Sequence, residues 1–147
     1  MKPLGTIIEF THLRNDDLLR VYREQLIKAD FIIKPEIFAR VAESPSIRFW
    51  ISEERATKVI KAMLKGHTLS EMGENKKEMF EEIYRRYVVL REKYPDSTIR
   101  ELIGYIVEQP APKFYLTPRT VGEIIYRIKK GWYERCFERS RLLRCKR

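Results

Sequence analysis

The chain between Val41 and Gly66 is spelled a second time, without a gap, between Ile106 and Gly131. Internal repetition constrains a fold more than any single motif, because one local structure must satisfy both copies. At a constant offset of 65 residues the identities are Glu43/Glu108, Pro45/Pro110, Phe49/Phe114, Ile60/Ile125, Lys65/Lys130 and Gly66/Gly131. Apolar, basic and hydroxyl positions match between them, including Val41/Ile106, Arg48/Lys113, Trp50/Tyr115, Ser52/Thr117 and Val59/Ile124. The same offset carries Asp16, Asp17 and Leu18 onto Glu81, Glu82 and Ile83, Arg20 onto Arg85 and Tyr22 onto Tyr87. The chain therefore reads as two copies of one helical module.

Within each copy the punctuation predicts three helices. In the first, Asn15 or Asp16 caps a helix whose stripe is Leu18, Tyr22, Leu26 and Ala29. Pro35 suits a first helical position, and Ile37, Phe38, Val41 and Ala42 form the next apolar face. Pro45 and the run Ile47 to Ile51 then favour extended backbone. Ser52 caps a third helix with Ala56, Val59, Ile60 and Met63 on one side, and Gly66 stops it. In the second copy the stripe Phe80, Ile83, Tyr87, Leu90, Tyr94 is the clearest helix, and Pro95, Asp96 and Ser97 end it and cap the second helix. Leu102, Ile103, Ile106 and Val107 mark the second helix, and Thr117-Pro118 opens the third over Val121, Ile124, Ile125 and Ile128. The expectation is an all-α chain: a lead-in at 1–14, extended or an edge strand, module one at 15–66, and a connector at 67–76. Module two follows at 77–131, then a basic amphipathic tail helix at 132–147.

Charge locates the partner. From Tyr126 onward there are nine basic residues against two acidic ones, whereas everything before it holds 21 basic and 19 acidic. Such a block fits contact with phosphates, with a solvated charged face or an acidic partner as the alternative. No apolar run reaches the roughly 20 residues of a membrane span, so the expected location is cytoplasmic and no membrane is called for. Small modules bury little surface, so they pack together or the chain forms a homodimer.

Three helices, the last opened by a hydroxyl cap, resemble a helix-turn-helix DNA-binding unit over 16–66 and 81–131. The resemblance implies a nucleic-acid partner, duplex DNA, met by the start of the third helix. It departs from the pattern in the turn, which has about three or four residues in such units but roughly nine here. On that reading the contacting residues are Arg55 and Lys58 in copy one and Arg119, Thr120, Glu123, Tyr126, Arg127 and Lys130 in copy two, with Lys113 ahead of the helix. Arg135, Arg139 and Arg141 continue the cationic surface into the tail. Arginine can fork onto a guanine edge and lysine holds phosphate. Gly122 leaves room for close approach, whereas Glu53 and Glu54 would repel phosphate in copy one. The cation-aromatic connectors, Arg48-Phe49-Trp50 and Lys113-Phe114-Tyr115, fit either stacking on unpaired bases or core filling. By alternation Phe49 and Phe114 turn inward, and Trp50 and Tyr115 turn away. The alternative function is a two-repeat interaction or structural protein whose basic tail docks on nucleic acid without reading it.

Catalytic and metal chemistry find no support. His12 and His67 fall in expected loops without metal-ligand spacing, Cys136 and Cys145 form no CxxC, and no phosphate loop or nucleophile motif occurs. The expectation is a binding protein without cofactor or metal, not an enzyme.

Overall fold

The computed structural model describes residues 4–145, with side chains described for residues 8–139. Among the described residues the chain is 70% helical, with seven helices and no strand. They are α1 (Leu4–Lys28), α2 (Lys34–Glu43), α3 (Glu53–Leu64), α4 (Glu74–Lys93), α5 (Ile99–Val107), α6 (Pro118–Lys129) and α7 (Trp132–Cys145).

Local signals set most of these bounds. Ser52 and Thr117 are extended N-caps whose hydroxyls accept from the backbone N–H groups of Arg55 and Thr120. Gly66 and Gly131 sit at φ +92° and +69°, the left-handed turn that follows a helix. Gly66 N–H donates to Met63 O and His67 N–H to Ala62 O, which closes the last turn of α3. One cap moves: α5 is opened by Thr98, which forms a reciprocal capping box with Glu101, and not by Ser97.

Four sequence expectations are corrected. Residues 4–14 of the expected lead-in are neither extended nor a strand, because α1 begins at Leu4, and residues 1–3 lie outside the described residues. Extending a formed helix costs far less than starting one, so the short alternation at Ile7, Ile8 and Phe10 yields to the helical stripe that follows. Asn15 therefore lies inside the helix, buried, with its Oδ1 accepting two bonds from Arg14. His12 is likewise helical and meets the edge of Phe137 at 4.7 Å. Finally, α4 starts at Glu74, inside the stretch expected to connect the modules.

The compact units do not follow the repeat. Among the described residues, one unit comprises 4–42 and 117–145, and the other 43–116. The first thus joins α1 and α2 of copy one to α6, the third helix of copy two, and adds α7. The second joins α4 and α5 of copy two to α3, the third helix of copy one. The bounds of these units differ from those of the modules expected at 15–66 and 77–131. The physical reason lies in the connectors, nine residues between α2 and α3 and ten between α5 and α6. At about 3.3–3.6 Å per residue such a segment reaches roughly 30 Å, so it can carry the third helix away from its own copy.

In the second unit Phe49, Ile60, Phe80, Ile83, Ile103, Ile106 and Val107 build the centre of the core. The two connectors meet there in an isolated antiparallel bridge between Ser46 and Ala111, each N–H donating to the other's carbonyl at 3.1 Å. These residues are equivalent in the repeat, so the two copies of the connector make one reciprocal contact. Phe49 and Phe114 are buried, as alternation requires. Tyr115 is buried too, stacked on Phe49 at 6.1 Å, because its φ of +60° breaks the alternation. Burial, reinforced by Glu82 and Glu78, pushes its phenol up to about 12. In the first unit Leu18, Val21, Tyr22, Ile37, Val41, Val121, Ile124 and Ile125 are buried.

Candidate nucleic-acid interface

Helix α6 is used on two sides. Val121, Ile124 and Ile125 are buried, and Arg119, Glu123, Tyr126, Arg127 and Lys130, spaced by three and four, are exposed in one stripe. No carboxylate lies in its first turn, where Pro118 is a proline without an N–H to satisfy and the Thr117 and Thr120 hydroxyls bond each other at 2.9 Å. Arg119 pairs with Glu123 at 3.1 Å across one turn, an exposed contact that fixes geometry more than it stabilises.

A groove of about 610 Å³ runs along this stripe. Its apolar lining is Phe38, Tyr126 and Trp132, and Arg119, Glu123 and Arg127 bring the charge. Phe38 comes from α2, where it stacks on Tyr22 at 6.1 Å. Its ring reaches α6 because residue 122 is glycine: a Cβ there would lie 2.7 Å from a ring carbon. The space at Gly122 is therefore filled from within the unit, not reserved for an incoming partner. Cations accompany the aromatic rings. The Arg127 guanidinium lies 5.2 Å from the Trp132 ring centre, and Lys130 lies 5.7 Å from that of Tyr126. Tyr126 remains 62% exposed and Trp132 43%, so each ring keeps open surface beside its cation.

Helix α7 extends the cationic side. Arg135 donates to Lys130 O at 2.6 Å, capping the end of α6, and Arg139 is exposed. The side chain of Arg141 lies outside those described. Tyr133 turns inward, where Arg14 reaches its hydroxyl at 3.4 Å.

The remaining sequence candidates, Arg55, Lys58 and Lys113, belong to the second unit. Arg55 and Lys58 are exposed on α3, whose first turn carries Glu53 and Glu54. Arg100 pairs with both carboxylates, at 3.1 and 3.6 Å. The Lys113 ammonium is held by two carboxylates, 2.7 Å from Glu78 and 3.7 Å from Glu43. The hydrogen bond to Glu78 raises its pKa above the ordinary lysine value. Arg48 donates to Phe49 O and Ile51 O and lies over Trp50, and burial pulls its pKa down. In the connectors Phe49, Phe114 and Tyr115 are thus core, Arg48 and Lys113 brace them, and Trp50 is half-buried.

Two groove residues, Phe38 and Trp132, escaped the sequence reading as contacts. The glycine at an otherwise good helical position was the available signal for Phe38, although nothing in the sequence says which ring fills the gap.

Among the described residues no group of histidine, cysteine, aspartate and glutamate is placed to hold a metal ion, and no helix is long and apolar enough to cross a membrane. Compared with known proteins, the chain matches no family model, no curated protein and no solved structure.

Proposed function

We propose that the protein binds nucleic acid, duplex DNA foremost, through the exposed face of α6, as a transcriptional regulator or an accessory factor of a mobile element would. The observation that carries this is the stripe of Arg119, Tyr126, Arg127 and Lys130 on a helix whose opposite face is wholly engaged in its own unit. A cationic helical face of this kind fits a major groove, where arginines address base edges and lysines hold phosphates. The recognition element is steadied by the ring of Phe38 against Gly122, in place of the short turn of a helix-turn-helix. Arg135 and Arg139 supply the flanking phosphate contacts. Of the two third helices only α6 reads, since the acidic start of α3 opposes phosphate.

The test is selection from a random duplex pool across a salt titration. A sequence motif that persists as salt rises supports base contact by α6. Retention without enrichment, lost steeply with salt, leaves only cations acting on phosphates. No retention at all ends the nucleic-acid reading.

A second reading, a protein-interaction module, is favoured by one patch. Ile27 in the last turn of α1 and Phe31, Ile32 and Ile33 between α1 and α2 are 85%, 82%, 63% and 49% exposed. The equivalent turn between α4 and α5 carries Glu92, Asp96, Ser97 and Thr98 instead. The turn therefore does not need apolar residues for its fold, and contiguous exposed apolar surface is a feature of docking sites. Retention of protein and not of nucleic acid, abolished by Phe31→Asp, would move the assignment there.

A further inference from the structure

We propose that the α6 groove receives a single unpaired nucleobase, guanine in preference, so that the preferred ligand is a duplex carrying an overhanging or extruded base. This rests on the nucleic-acid reading above and names what its site selects.

The groove differs from a surface built only to follow a backbone. A phosphate-tracking face needs cations, whereas this groove is also lined by two large rings, Tyr126 and Trp132, that keep open surface. Duplex DNA offers such rings no partner, because its bases are stacked on one another. An unpaired base offers a π-face, and stacking on aromatic side chains is how proteins hold unpaired bases. The cations suit the same ligand. Arg127 beside Trp132 and Lys130 beside Tyr126 sit where the phosphates flanking a stacked base need neutralising, and Arg119 adds a third charge at the rim.

Glu123 sets the preference. A carboxylate among cations is unfavourable for an anionic ligand unless it meets a donor. Glu123 lines the groove with its side chain 47% exposed, and its Oε1 is held by Arg119 Nε at 3.1 Å. One bond from Arg119 leaves most of its acceptor capacity unused. Guanine presents adjacent N1–H and N2–H donors on its pairing edge, which a carboxylate accepts together. Cytosine and adenine offer one exocyclic amino group, and thymine a single N–H. The order of preference is therefore guanine first.

The experiment uses the full chain and a set of hairpin duplexes of one sequence: one blunt, and four with a single 3′ overhanging G, A, C or T. Affinity is read by anisotropy and ring contact by tryptophan fluorescence. The expected result is that the G overhang binds roughly tenfold or more tightly than the blunt hairpin, with quenching that disappears in Trp132→Phe. Tyr126→Ala should return the overhangs to the blunt level. Glu123→Gln, at an exposed position that leaves the fold intact, should bring G level with the other overhangs while all of them still exceed blunt. Equal binding of blunt and overhanging hairpins, without quenching, overturns the proposal and leaves duplex binding standing. Tight overhang binding with no base preference, unchanged by Glu123→Gln, removes the guanine assignment. Binding to none of the five overturns the nucleic-acid reading and this proposal with it.

Discussion

Helices α3 and α6 are the same element of the repeat, and they share one side and differ on the other. Inward, Ala56, Val59 and Ile60 match Val121, Ile124 and Ile125, all buried. Outward, α3 opens with two carboxylates held by Arg100, whereas α6 opens with proline and arginine and leads into a cation-rich aromatic groove. A buried side chain is held to its shape by dense packing, and an exposed one is held only by what it binds. The divergence is why the proposed contact surface is placed on α6 and not on α3.

The largest test addresses which helices each third helix supports. Ile60→Ala and Ile125→Ala should each cost about 2–5 kcal/mol. By hydrogen exchange, Ile60→Ala should deprotect α4 and α5 first, and Ile125→Ala α1 and α2. The opposite pattern would restore modules that close on their own copy. Next comes the position that is Gly122 in α6 and Thr57 in α3. Gly122→Ala forces the Phe38 ring to move and should cost about 1–3 kcal/mol in urea unfolding, with Phe38→Leu relieving part of it. Thr57→Val should instead stabilise by about 1 kcal/mol, because the Thr57 hydroxyl is buried without a hydrogen-bond partner.

Binding separates the outer faces. Arg127→Ala should weaken nucleic-acid binding about tenfold, and Lys58→Ala by less than about twofold. Equal losses would make both helices contact surfaces and erase the functional contrast.

The smallest effect concerns the connectors, where Tyr115 stands for Trp50. Folding raises the Tyr115 phenol from an ordinary 10 to about 12, so the folded state holds that proton more tightly. Its contribution is complete below pH 10 and is lost as pH rises from 10 to about 12. The Lys113 shift has the same sign. The unfolding free energy from urea titration should therefore fall over that range, by an amount on the order of 1 kcal/mol, and Tyr115→Phe should flatten the fall.

Much of this was legible in the sequence because it is local. The caps at Ser52 and Thr117, the left-handed glycines 66 and 131, and the buried stripes each depend on neighbours within a turn or two. The α6 candidates could be picked out because helical spacing places Arg119, Glu123, Tyr126, Arg127 and Lys130 on one side wherever the helix goes. Lys113 could not be judged that way. Its two carboxylate partners, Glu43 and Glu78, come from distant parts of the chain, and they turn a free cation into a brace. Gly122 read as room for a ligand for the same reason, since the ring that fills it belongs to another helix.

By itself the sequence determined that the chain is helical, where most of its helices begin and end, and which side of each one is apolar. Hydrogen-bonded turns and side-chain periodicity are short-range, so both copies obey them alike. Only the tertiary structure decided which helices assemble together. Connectors of nine and ten residues are long enough to deliver each third helix to the other copy's pair, and two near-identical apolar stripes cannot by themselves say which pair they will cover.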